Sequence, residues 1–367
     1  MVSAVLATRP APVRRDAYQL AVDARDPRFD GVFFVGITTT RIYCRPVCKS
    51  RMAYDHHRRF FNSAAAAERA GFRPCLLCRP ELAPGAGRAK PDAVSQLARA
   101  AAERIAAGGL NGRCVADFAA ELGVSERHLR RALERELGVA PHELAQTHRL
   151  LLAKRLLVDT ELPMTRVAYA SGFQSLRRFN VAFREQYRMP PTALRRGRKA
   201  PPNESGFLRL TLSYRRPLAW ESLAGLAREA TISIDGTKGI VAVENAPADA
   251  HLVVQISESL CPVLMPVIAG LRRVFDLDAE PAVIDAHLGT NGLGALVAAH
   301  PGVRVPGVLD RLEGAAPDAF SANDQALQRA AGVTGAKELF ALAERWRPWR
   351  AYAAQLLGLG VADRNAA

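Results

Sequence analysis

The chain has 367 residues, 49% hydrophobic and 7% aromatic, enough for two or three domains of ordinary size. No apolar run approaches the ~20 residues of a membrane span, and Met1 to Asp16 lacks a signal-peptide core, so membrane and exported proteins are both disfavoured. The formal charge of +14 is unevenly held: residues 1–200 carry 35 Lys and Arg against 18 Asp and Glu, while residues 201–367 carry 15 against 18. A basic first half joined to a near-neutral second half points to a polyanion partner for the first half. An arginine-rich solvated surface is the plain alternative. A cytoplasmic chain is expected, with no membrane among its partners.

In chain order, residues 32–37 and 41–43 read as short strands, and Ser63 caps a helix to residue 70 that Gly71 ends. A Pro/Gly stretch at 83–91 and another at 197–206 divide the chain. Between them the sequence reads as helical throughout. After the second break, Leu208, Leu210, Leu212 and Tyr214 alternate with polar residues, as in a half-buried strand. Residues 239–243 and 251–256 are further strands, and 263–275 a helix. The expected class is a multi-domain α+β protein: a small zinc-bound α/β domain (17–82), an all-α domain with two helix-turn-helix units (92–196), a β-sheet-plus-helix region (207–306) and a helical tail (307–367).

Four of the six cysteines cluster as Cys44-x3-Cys48 and Cys75-x2-Cys78. Two close pairs on tight turns can set four sulfurs tetrahedrally around one zinc ion at ~2.3 Å. His56 and His57 are the nearby alternatives, and read as surface residues. Cys114 and Cys261 sit in apolar stretches and read as small core residues. A purely structural zinc is the simple interpretation. Four thiolates on zinc carry a net −2, however, and stay deprotonated and electron-rich, so one of them could attack a methyl group that leaves a phosphate anion behind.

Phe33-Phe-Val-Gly-Ile-Thr-Thr-Thr-Arg-Ile-Tyr-Cys44-Arg-Pro-Val-Cys48 and Ala70-Gly-Phe-Arg-Pro-Cys75-Leu-Leu-Cys78-Arg-Pro80 together resemble the amino-terminal domain of the Ada family of alkylation-response regulators. The resemblance spans residues 17–82 and implies that Cys44, the first of the four ligands, is the methyl acceptor. The spacing by itself does not choose among the four. Arg41 and Arg45 flank Cys44 and suit a sulfur that approaches a DNA phosphate.

In the middle segment, residues 115–122 form one helix, Gly123 turns the chain, and Ser125 caps a second helix to Leu137. Phe118, Ala119, Leu122, Leu129 and Leu133 face inward, while Arg127, His128, Arg130 and Arg131 face outward. The unit recurs with residues 164–170, Gly172-Phe173 and a helix from Ser175, which exposes Arg177, Arg178 and Asn180 beside Gln174. Residues 144–158 join the two units. A helical bundle without a DNA role is the alternative. Gly172-Phe-Gln-Ser-Leu-Arg-Arg-Phe-Asn-Val-Ala-Phe183 and Pro190-Pro-Thr-Ala-Leu-Arg195 resemble the AraC/XylS-type DNA-binding domain. That implies promoter DNA as partner, RNA polymerase as a second one, and a place at the bacterial nucleoid.

From Phe207 the chain resembles the amino-terminal domain of 3-methyladenine DNA glycosylase II, through Leu271-Arg-Arg-Val-Phe-Asp-Leu-Asp278, Ala286-His-Leu-Gly289 and His300-Pro-Gly-Val-Arg-Val-Pro-Gly307. Asp318-Ala-Phe-Ser-Ala-Asn-Asp324 resembles the far end of that enzyme, whose catalytic carboxylate maps onto Asp324. Only a few residues separate Pro306 from Pro317, where the family places most of its helical domain and a Gly-rich DNA-gripping hairpin. Asp324 therefore also reads as a solvated acid at a helix start. The leading expectation is transfer of methyl groups from DNA phosphotriesters to Cys44, coupled to transcription. The alternatives are base excision, or transcription regulation with no chemistry.

Overall fold

The computed structural model describes residues 12–85, 93–196, 206–226 and 228–366; most of the two Pro/Gly breaks lies outside them. The chain divides into two units, one of residues up to 211 with 234–239 and 255–269, the other of 212–233, 240–254 and 270 onward.

In the first unit α1 (Pro12–Asp23) precedes a sheet of β1 (Phe34–Ile37), β2 (Ile42–Cys44), β3 (Arg58–Phe61) and β4 (Arg73–Pro74), in the order β3-β1-β2-β4. β1 pairs antiparallel with β2 and β3, setting Val35 opposite both Cys44 and Phe60, while β4 runs parallel to β2. Because directly opposed residues share a face, one face carries Val35 and Cys44 with Tyr18, Val22 and Phe33, and the other carries Phe34, Tyr43, Phe61 and Phe72. Gly36 lets the second face close: a Cβ there would meet the Phe61 and Phe72 rings at 2.7–2.9 Å. α2 (Ala64–Arg69) begins as expected at Ser63, whose Oγ accepts from the Ala66 N–H at 3.0 Å.

The helical part comprises α3 (Ala93–Ala106), α4 (Val115–Glu121), α5 (Glu126–Leu137), α6 (Pro141–Asp159), α7 (Met164–Ala170), α8 (Leu176–Tyr187) and α9 (Pro191–Arg196). Ser125 and Ser175 cap α5 and α8, accepting from the His128 and Arg178 N–H groups at 3.3 and 3.2 Å. Gly123 and Gly172 make the turns with φ of +71° and +88°, which a side chain would strain. Phe118, Ala119, Leu129 and Leu133 form one core, and the rings of Phe173, Phe179, Phe183 and Tyr187 pack in series in the other helical unit. Cys114 corrects its reading. It is exposed, and its sulfur caps α4 by accepting from the Asp117 N–H at 3.4 Å. Cys261 is buried as expected.

A second sheet has the order β5-β8-β7-β6, from β5 (Phe207–Ser213), β6 (Glu229–Ile234), β7 (Thr237–Ala246) and β8 (His251–Ser257). Leu208, Leu210 and Leu212 alternate into the interior as expected. Asp235 and Gly236, with φ of +48° and +78°, join β6 to β7 as a two-residue hairpin. α10 (Leu264–Val274), α11 (Pro281–Leu288), α12 (Gly294–Ala299), α13 (Gln325–Ala330), α14 (Ala336–Ala343) and α15 (Arg350–Ala366) follow. The tail after residue 307 is built into a core: Leu327, Leu339, Trp346, Tyr352 and Leu356 pack with Ile284 and Leu288. Arg304 is fully buried, and its guanidinium donates to the carbonyls of Gly302 at 2.7 Å and Arg215 at 2.8 Å.

Candidate metal centre and nucleic-acid interface

The parallel pairing of β2 with β4 assembles the cysteine site. The Cys75 N–H donates to the Tyr43 carbonyl at 2.9 Å, so the cysteine after β4 lies beside the one ending β2. Turns then return Cys48 and Cys78. The four sulfurs lie within 4.8 Å of one another, with Cys44, Cys48 and Cys75 buried. Their surroundings fit a bound zinc ion. Unmetallated, the sulfurs compete for protons: hydrogen bonding with Cys48, then with Cys75 and Cys78, and burial push the Cys44 thiol far up, while the bond with Cys44 pulls Cys48 far down. A divalent cation satisfies four thiolates at once. Donors support three of the sulfurs. The Arg45 N–H donates to Cys78 Sγ at 3.4 Å, the Leu77 N–H to Cys75 Sγ at 3.3 Å, and Ser50 Oγ lies 3.0 Å from Cys48 Sγ. Among the described residues no N–H or O–H group donates to Cys44 Sγ. His56 is exposed and His57 half-buried, and neither joins the cluster.

The two flanking arginines have other duties than their positions suggest. Arg45 is nearly buried, ion-paired through two contacts with Asp30, and donates to the Cys78 carbonyl at 3.2 Å. It braces the metal loop from inside. Arg41 is exposed, with its guanidinium 5.2 Å from the centroid of Phe72, in the cluster on the sheet face away from the cysteines. Sequence reasoning also missed a buried charge network between the metal loop and α6. Lys154 Nζ donates to the Cys75 carbonyl at 3.1 Å and to Glu81 at 2.5 Å. Arg79, next to the last ligand, makes two bonds to Asp159, 2.8 and 2.7 Å, and one to Glu81 at 3.0 Å. Against the upward push of burial, the charges of Lys154 and Arg79 hold the Glu81 carboxyl below its ordinary range. The available signal was a Lys-Arg pair inside the otherwise apolar run 150–158 of α6.

A second contact joins the same parts. Glu68 accepts from Thr147 Oγ1 at 2.6 Å and from the Tyr43 hydroxyl at 2.9 Å, and burial raises its carboxyl to about 7 against those two bonds.

On the helical side, Arg127, His128, Arg130 and Arg131 are exposed on α5, and Gln174, Arg177 and Arg178 at the start of α8. Ser175 is committed to its cap, Asn180 is half-buried, and Arg130 is ion-paired with Glu126 at 2.9 Å. Asp324 lies in the tail, within the second unit. It is exposed and caps α13, its Oδ1 accepting from the Ala326 and Leu327 N–H groups at 2.8 and 3.1 Å.

Comparisons with known proteins agree with all three resemblances. The family profile described as the metal binding domain of Ada matches residues 17–81, a helix-turn-helix domain matches 118–197, and the AlkA N-terminal domain matches 221–310. The "Probable bifunctional transcriptional activator/DNA repair enzyme AlkA" of Mycobacterium tuberculosis is 36% identical over 316 residues, 80% of this chain and 62% of the relative. The "Bifunctional transcriptional activator/DNA repair enzyme Ada" of Escherichia coli is 29% identical over 238 residues, 62% of this chain and 64% of that relative. A crystal structure of the methylated N-Ada/DNA complex is 30% identical, covering 36% of this chain and 96% of its own, with a TM-score of 0.18. The chain thus spans about three fifths of the length of these curated relatives. No helix among the described residues is long and apolar enough to cross a membrane.

Proposed function

Since the chain joins an Ada-type zinc-binding domain, a helix-turn-helix domain and an AlkA-type amino-terminal domain, we propose that it removes methyl groups from DNA methylphosphotriesters onto Cys44 and then binds promoter DNA as a transcription activator. The observation that carries the choice of Cys44 is its hydrogen bonding. An N–H or O–H donor draws electron density from a thiolate and weakens it as a nucleophile. Cys48, Cys75 and Cys78 each have such a donor, and Cys44 has none among the described residues. Bound zinc supplies the charge that keeps four neighbouring sulfurs deprotonated at neutral pH.

Cys44 Sγ attacks the methyl carbon. The S–C bond forms as the C–O bond breaks, and the electron pair leaves with the phosphodiester oxygen. No proton moves, because the sulfur begins as thiolate and ends as thioether. Nothing in the site reverses that bond, so each molecule acts once. Arg45 and Asp30 hold the loop between the first two ligands while this happens. The test is mass spectrometry of the zinc-loaded chain after incubation with methylated duplex DNA. One methyl group on Cys44 is expected, and an unmodified Cys44 alongside DNA that has lost its phosphotriesters would refute the assignment.

The transfer also converts an anionic sulfur into a neutral one, taking the site from −2 to −1. Beside a phosphate backbone that difference is attractive. Two unit charges 4 Å apart exchange ~1 kcal/mol in water and ~4 kcal/mol at a protein surface, so methylated protein should bind promoter DNA several-fold tighter at low salt. The gain should shrink as salt rises and the Debye length shortens. Equal affinities for the two forms throughout a salt titration would remove the switch from this scheme. A contact with RNA polymerase at the bacterial nucleoid follows from the activator reading.

Base excision is not expected. A glycosylase must flip its target out of the duplex, at a cost of a few kcal/mol, and recover that through a pocket and a backbone anchor. Asp324 is committed to capping a six-residue helix in open solvent, where it has no pocket in which to stabilise a sugar cation. Duplexes containing 3-methyladenine should release no free base above background. Release that disappears in Asp324→Asn would restore the glycosylase reading.

A further inference from the structure

α5 and α8 are two readings of one plan. Each starts at a serine cap, Ser125 or Ser175, and ends at a left-handed residue, Gly138 at φ +75° or Arg188 at φ +58°. Aligned from cap to cap, Leu129 matches Phe179, Ala132 matches Ala182 and Leu133 matches Phe183, all buried. On the outer face Arg127 matches Arg177 and His128 matches Arg178, all exposed. Further along, the outer faces diverge: Glu134 and Arg135 of α5 correspond to Arg184 and Glu185 of α8 with the charges exchanged, and one exposed position changes from charged to apolar. Where α5 carries the exposed Arg131, α8 carries Val181, 51% exposed.

Val181 does nothing visible for the fold. It buries little, and a β-branched residue is a poorer helix former than arginine or alanine. Its neighbours on that face, one turn either side, are Arg177, Arg178, Arg184 and Glu185, all exposed, and the three arginines have no ion pair among the described residues. An aliphatic side chain on a mainly cationic face of a candidate recognition helix meets one apolar feature in the major groove that carries sequence information, the C5-methyl group of thymine.

We infer that Val181 is a specificity-determining residue, reading a thymine methyl in the half of the operator facing α8, while Arg131 at the matching place on α5 faces a guanine edge. This rests on the promoter-binding reading above.

The test uses the full zinc-loaded chain and a pool of duplexes with randomised base pairs. Selected duplexes are resynthesised with each thymine replaced in turn by deoxyuridine, which differs only by the lost methyl. At one thymine the swap should weaken binding about three- to fivefold, the effect of leaving one methyl group unburied. Val181→Ala, which favours the helix, should bind thymine and uracil duplexes alike while retaining the rest of the selected sequence. If the pool yields no preferred sequence, promoter recognition itself fails. If it yields one in which every thymine tolerates uracil, or Val181→Ala discriminates as well as the parent, Val181 is not the reader and promoter recognition stands.

Discussion

Cys44→Ser is expected to abolish methyl transfer while leaving one zinc ion bound. A serine hydroxyl stays protonated near neutrality and is a poor ligand, so the nucleophile is lost outright. Three thiolates remain with their supporting donors from Arg45, Leu77 and Ser50. A structural zinc contributes about 10–16 kcal/mol in small domains, so a site weakened by one ligand should still hold metal at micromolar zinc. Cys48→Ser and Cys75→Ser should also lose transfer, but for another reason. Cys44, Cys48 and Cys75 share one core cluster, but Cys48 and Cys75 are also held by Ser50 and the Leu77 N–H, and removing either thiolate should lower zinc content and loosen the domain together. Zinc content measured alongside methyl uptake separates the two causes. Exposure alone would favour Cys78, the only one of the four that is not buried. Methyl uptake at Cys78 in the Cys44→Ser protein would show that access outweighs hydrogen bonding and that the assignment to Cys44 is wrong.

The ligand set was legible because zinc chemistry constrains spacing within a turn, and the helix-turn-helix units because serine caps, glycine turns and apolar periodicity are local signals. The pairing that builds the metal site was not legible: β4 is two residues long, and its parallel partner lies some thirty residues earlier. Arg45 misled for a related reason. Its neighbour in sequence is the proposed methyl acceptor, but its partner in space is Asp30, fifteen residues away. Cys114 misled because an apolar stretch was read as core, whereas a helix start needs an acceptor and sulfur serves. The hairpin at Asp235-Gly236 carried a turn signal that the sequence reading did not use, so β6 was missed and β7 was read only over 239–243. For the charged pair Lys154-Arg155, a cation within an apolar run of the helix called for a buried anion, and sequence gives no way to say which.

That lysine carries the second large effect. Lys154→Met should destabilise the first unit by about 3–5 kcal/mol, because breaking a buried pair leaves the other charge uncompensated. The side chain is 1% exposed and that of Glu81 2%, so water cannot replace the lost partner. Arg79 still bonds Glu81, but its guanidinium is already committed twice to Asp159. The lost bond to the Cys75 carbonyl removes the tether between a metal ligand and the helix that joins the two helix-turn-helix units. Two measurements should therefore move together: the urea midpoint of the zinc-loaded chain falls, and a chelator strips zinc faster than from the parent. Adding Glu81→Leu to Lys154→Met removes the stranded carboxylate, and a well-packed apolar pair is often no worse than the ion pair it replaces. The double variant should recover most of the midpoint, though not the slow zinc release, since the Cys75 carbonyl stays untethered. Recovery of both would mean that the lysine only neutralises Glu81. A single variant within 1 kcal/mol of the parent would mean that the network is hydrated and contributes little.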